Sequence, residues 1–168
     1  MIQRLLDRFE PVFGRVDRLA GGRHADVRIH DEMLRHPKTK RAFTAIVWLL
    51  VLEFVIGITA VIIALVLATR GIPVEWPVWM RTIVVLGMTA TLFYFAWRAS
   101  LGYYWGYSRL RLFSKIFPVI TLVLAAIPGL YPLWMVTEQI VFSLILIGVA
   151  DYLDSDHMRA AFPKPTAA

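Results

Sequence analysis

Residues 42–69 read AFTAIVWLLVLEFVIGITAVIIALVLAT, a run of 28 residues whose single ionisable side chain is Glu53. As a helix rising ~1.5 Å per residue it measures roughly 42 Å, more than the ~30 Å hydrocarbon core of a bilayer. A run this long and apolar has few options in water, so the chain reads as an integral membrane protein. Every other segment must be placed relative to that span.

Three further apolar segments follow. They cover about 78–98, 112–128 and 132–153, and short polar or Pro/Gly-containing stretches separate them. The third is the short one: Leu112 to Ile127 is 16 residues, about 24 Å of helix. It either borrows residues from its flanks, thins the bilayer or re-enters without crossing. The last option gives a three-span variant. The fold expected is all-α: an N-terminal interfacial amphipathic helix plus a four-helix transmembrane bundle. It divides into a polar N-terminal segment (1–41), a transmembrane domain (42–153) and a tail (154–168).

Charge placement orients the bundle. With four spans, the N-terminal segment, middle loop and tail share one side and carry 16 of the 18 basic residues, leaving Arg70 and Arg81 for the other. The positive-inside rule then predicts both termini in the cytoplasm. Trp76, Trp79, Tyr131 and Trp134 fall at the outer ends of spans. Trp97, Tyr103, Tyr104, Trp105 and Tyr107 fall at the inner ends, as aromatic belts do. Arg81, one turn inside the second span, is expected to snorkel to the surface.

Ile2, Leu5, Leu6, Phe9, Val12, Phe13, Val16 and Leu19 recur at steps of three and four, with charges between them. That pattern predicts an amphipathic helix in the headgroup plane. Its sequence, MIQRLLDRFEP, lacks the continuous apolar core and small-residue cleavage site of a cleaved leader. The net charge of +6 sits beside apolar spans and forms no nucleic-acid-binding motif, so nucleic acid is not an expected partner. Arginine outnumbers lysine 14 to 4, a composition that suggests a GC-rich bacterium and hence a bacterial plasma membrane.

The first candidate site is Glu53. Gly57, Ala60, Ala64 and Ala68 follow it at helical steps, all small and on its stripe. Small residues so spaced let another helix approach closely in lipid, and a carboxyl group near mid-membrane has to face protein. Burial there favours its neutral form. Thr89, Thr91, Tyr94, Thr121 and Ser143 are candidate partners. The main expectation is a hydrogen-bonded packing residue; the alternative is a titrating group in a proton- or ion-coupled path. The second site is the middle loop, where Gly102 and Gly106 stand among Tyr and Trp. Arg98, Arg109, Arg111 and Lys115 surround them, a composition suited to anionic lipid at the cytoplasmic face.

Other constellations carry less. His24, His30 and His36 are spaced by six, and Asp26–His30 and Glu32–His36 are i,i+4 pairs without a zinc-protease pattern. No metal or other cofactor is expected. Cysteine is absent, which removes thiolate chemistry. Asp151, Asp154, Ser155, Met158 and Arg159 resemble the first half of the DxxDGxxAR signature of membrane CDP-alcohol phosphotransferases. Serine stands there for glycine and methionine for alanine, and no activity is carried over. No nucleophile elbow or phosphate loop is present. The chain therefore reads as a non-catalytic accessory, scaffold or assembly subunit whose partners are the bilayer and other membrane subunits or itself. The alternative is a small oligomeric transporter or lipid-handling protein using Glu53 and the middle loop.

Overall fold

In the computed structural model the described residues are 27–29 and 31–164. The amphipathic stretch 2–20, His24, Asp26 and His30 lie outside them. The described residues form six helices in order: α1 (Asp31–Arg35), α2 (Pro37–Thr69), α3 (Trp76–Ser100), α4 (Tyr104–Ala125), α5 (Leu133–Asp154) and α6 (Asp156–Ala161). The described residues are all-helical apart from one isolated antiparallel bridge, Arg28 to Tyr103. Among the described residues three helices, α2, α3 and α5, are long and apolar enough to cross a membrane.

Helix α2 begins five residues before its apolar run. His36 caps it, its ring accepting a hydrogen bond from the Lys38 backbone N–H, and Pro37 stands at the first helical position, where its missing N–H costs nothing. Its 33 residues extend about 50 Å. Helix α4 extends the short third run at its N-terminal flank. It starts at Tyr104 and reaches 22 residues, about 33 Å. Between Tyr104 and Lys115, however, it carries Arg109, Arg111 and Lys115, which keeps it out of the apolar class.

The four long helices form a ring in which α2 packs on α3, α3 on α4, α4 on α5, and α5 back on α2. Short connections make neighbours antiparallel. One end of the bundle, here the basic end, holds the start of α2, the α3–α4 turn and α6. The opposite end holds the α2–α3 and α4–α5 loops.

At the basic end the α3–α4 turn is drawn tight by two glycines with different roles. Gly102 takes φ +90, a conformation open to glycine at little cost, and a Cβ there would meet Leu34 Cδ1 at 2.8 Å. Gly106 lets two backbones touch: its Cβ would lie 2.8 Å from the Ala99 amide nitrogen and 3.1 Å from the Phe95 carbonyl oxygen. The stretch before α1 is pinned to this turn, with Ile29 N–H donating to Gly102 O and Tyr104 N–H to Val27 O.

The first part of the tail also packs. Ser155 interrupts the helix, and α6 folds back so that Met158, Ala161 and Phe162 are buried. Phe162 stacks on Tyr107 with ring centroids 4.4 Å apart and meets Phe43 edge-on. Tyr107 Oη donates to the Leu153 carbonyl at 2.8 Å.

Candidate functional site: a polar layer inside the bundle

The bundle core is two apolar clusters. The larger fills the basic end and middle, with Leu50, Leu92, Phe142 and Leu146 at its centre. The smaller joins Ala64, Val78 and Met135 near the opposite end. Between them each helix that faces inward changes character. Helix α3 offers Arg81 and Thr82, α5 offers Glu138 and Gln139, and α2 offers only Gly57 and Ala60, all of them buried or nearly so. Small residues on α2 leave room for the longer polar side chains opposite.

Glu53 lies one turn deeper, at the edge of the larger cluster, and is 1% exposed. Thr89 is its partner: the one hydroxyl proton on its Oγ1 is shared between Glu53 Oε1 at 2.9 Å and Val85 O of its own helix at 3.0 Å. Thr91, the neighbouring candidate, faces outward and bonds Gly87 O. Ser143 is buried and bonds Gln139 O and Pro118 O. The stripe Glu53, Gly57, Ala60 and Ala64 is buried throughout, and its neighbours are this chain's own helices. Leu86 of α3 reaches to 3.0 Å from where a Gly57 Cβ would be, and Ala64 meets Val78 and Met135. The stripe is therefore an internal seam and not a surface for another subunit; Ala68, beyond its end, is exposed.

Arg81 departs from the expected snorkelling. Its side chain is 8% exposed and its Nη1 donates to Glu138 Oε2 at 2.5 Å across the α3–α5 gap. Snorkelling is the solution for a cation with no counter-charge at its depth, and Glu138 supplies one. Sequence reasoning passed over Glu138 and Gln139, although the signal was present. Arg81 lies five residues into α3 and Glu138 five residues into α5, so both start from the same end and reach the same depth. Between α2 and α5, a groove of about 380 Å³ lined by Thr59, Ala60, Trp134 and Thr137 opens sideways onto Glu138.

Several polar atoms in this layer and at Glu53 one turn below it have no hydrogen-bond partner among the described residues: Glu53 Oε2, Arg81 Nη2 and both ends of the Gln139 amide. Burying such atoms unpaired costs on the order of 1–3 kcal/mol each, so they mark where water or a small polar solute is accommodated most readily.

The four basic residues of the middle loop are not brought together. Arg98 is buried, its guanidinium over the rings of Trp97, Tyr103 and Tyr94 at 4.7, 5.3 and 5.6 Å. Arg109 is exposed. Arg111 and Lys115 both reach Asp154 at the end of α5, an acid that the spacing along the chain did not place beside them. Across the bundle end, His36 and His157 face each other with ring centroids 4.6 Å apart, and Thr39 Oγ1 lies 2.9 Å from His157 Nε2. No protein-family description, curated protein or solved structure matches this chain.

Proposed function

We propose that this chain is a multi-pass protein of a bacterial plasma membrane with four spans and both termini cytoplasmic, serving as a non-catalytic accessory or assembly subunit. The observation that carries the reading is the division of α2 into two faces. Its inward stripe is used up inside the chain. Its outward stripe, Trp48, Leu52, Val55, Ile62 and Val66, is exposed over most of the helix length. The interior polar layer is bounded on both sides by apolar clusters, as suits a packing device that fixes helix register. Lipid-facing apolar surface on the longest helix is where a neighbouring subunit can dock. Purification in mild detergent followed by mass spectrometry tests this: stoichiometric membrane partners are expected, and a clean homo-oligomer would overturn it. Reporter fusions at Glu75 and Gly129 are both expected to register outside the cytoplasm, and an inside signal at Gly129 would leave three spans.

A second reading rests on the orphan atoms of Glu53, Gln139 and Arg81, which suit a proton or small polar solute held in the layer. In proteoliposomes with an internal pH dye, that reading expects faster decay of an imposed pH gradient, and loss of that acceleration in Glu53→Gln. Equal decay in protein-free vesicles would remove it.

A further inference from the structure

The basic end holds a groove that the middle-loop residues do not form. It has a volume of about 360 Å³ and lies where the first two turns of α2 meet the α5–α6 junction, within the ~300–1,000 Å³ range of small-ligand sites. Lys38 and Arg41 of α2 form one wall; Tyr152, Ser155 and His157 form the other. Ala42 and Ala45 continue the floor onto the first apolar turns of α2.

The charges in this groove differ from those across the bundle end. Arg111 and Lys115 are matched by Asp154. No described carboxylate pairs with Lys38 or Arg41, and no acid lines the groove, although Asp151 precedes Tyr152 and Asp156 stands between Ser155 and His157 in sequence. The groove walls are also held in place. His157 is hydrogen-bonded to buried Thr39, and Ser155 Oγ to Tyr152 O. Cations at one end and small apolar side chains at the other follow the profile of a lipid at the water–hydrocarbon boundary. A free anion would have no use for the apolar end.

We propose that this groove binds the phosphate-bearing headgroup of an anionic membrane lipid, with Lys38 and Arg41 on the phosphate and an acyl chain over Ala42 and Ala45. The proposal deepens the membrane placement above, since it puts α2's first turns at the bilayer surface. The test, however, is run in detergent and does not depend on orientation or on any partner subunit. A failed topology or partner experiment therefore leaves it standing.

The full chain in neutral detergent is titrated with short-chain phosphatidylglycerol, short-chain phosphatidylcholine or inorganic phosphate, and bound lipid is counted by native mass spectrometry. Phosphatidylglycerol is expected to bind and phosphatidylcholine to bind much more weakly. Lys38→Ala/Arg41→Ala is expected to weaken phosphatidylglycerol binding roughly thirtyfold, the combined share of two interfacial cations. Lys38→Arg/Arg41→Lys should retain it, and so should Arg70→Ala at the opposite end of the bundle. Equal binding by the double alanine variant overturns the site. Equal protection from thermal unfolding by inorganic phosphate overturns the lipid as its occupant. If the double alanine variant does not fold, the charge-retaining pair read against Lys38→Gln/Arg41→Gln decides in the same way.

Discussion

Both ends of this bundle contain a carboxylate matched to a cation or cations from another helix, and the two are held in opposite ways. Near the opposite end, Arg81 and Glu138 are 8% and 9% exposed and meet inside the ring. At the basic end, Asp154 with Arg111 and Lys115 is 31–48% exposed on the rim. In a dry interior the partners cannot turn to water, so removing one leaves the other charged and unsolvated. At the rim, water and salt replace either partner at little cost. The basic end is secured by contact instead: the Gly106 crossing, the Phe162–Tyr107 stack and the α6 fold-back.

The largest expected effect is on the buried pair. Glu138→Ala should destabilise the bundle by about 3–5 kcal/mol, whereas Arg81→Met/Glu138→Leu should restore most of that loss. Unfolding in mixed detergent–SDS micelles measures both, and equal losses in single and double variants would break the contrast. Next is Gly106→Ala, expected to cost about 1–3 kcal/mol because its Cβ would press on backbone. Gly57→Ala presses only on the end of Leu86 and should cost less in the same assay. Asp154→Asn comes third, at about 0.2–1 kcal/mol and shrinking further in added salt. An Asp154 loss as large as that at Glu138 would show that the rim is drier than its exposure indicates.

The smallest effect is a pH dependence. Partial burial, then the neighbouring His36 and Lys38, hold His157 below the ordinary imidazole value of 6.5. An unfolded chain therefore takes up a proton more readily than the folded one. The stabilising contribution of neutral His157 is complete above about pH 6.5 and is lost as pH falls through the lower folded value. Thermal unfolding between pH 7.5 and 5 should show this slope in the parent chain and a shallower one in His157→Gln. Identical slopes would detach His157 from the stability of the basic end.

Much of this arrangement was legible in residue spacing. The Glu53–Gly57–Ala60–Ala64 stripe announces an inward face because small side chains recur at the helical period, and Thr89 was among the partners that depth alone suggested. Helix α4 was only half visible. Hydropathy sees Leu112–Ile127 and stops at the cations, while the backbone goes on through Arg111 and Arg109 to Tyr104. Arg81 was misplaced because snorkelling is judged one span at a time, and its partner lies 57 positions away. The docking of Phe162 on Tyr107 and of Asp154 on Arg111 and Lys115 left no local mark, since the pairing depends on which helix ends meet.

Helix α2 is continuous from Pro37 to Thr69, and Glu53 stands at its midpoint, sixteen residues from either end. The helix's buried face runs from Thr39 at the basic end to Ala64 near the α2–α3 loop, so one element is packed into both apolar clusters. With no internal proline it has no built-in kink between them, and a displacement of its first turns is opposed along the whole seam rather than at one end.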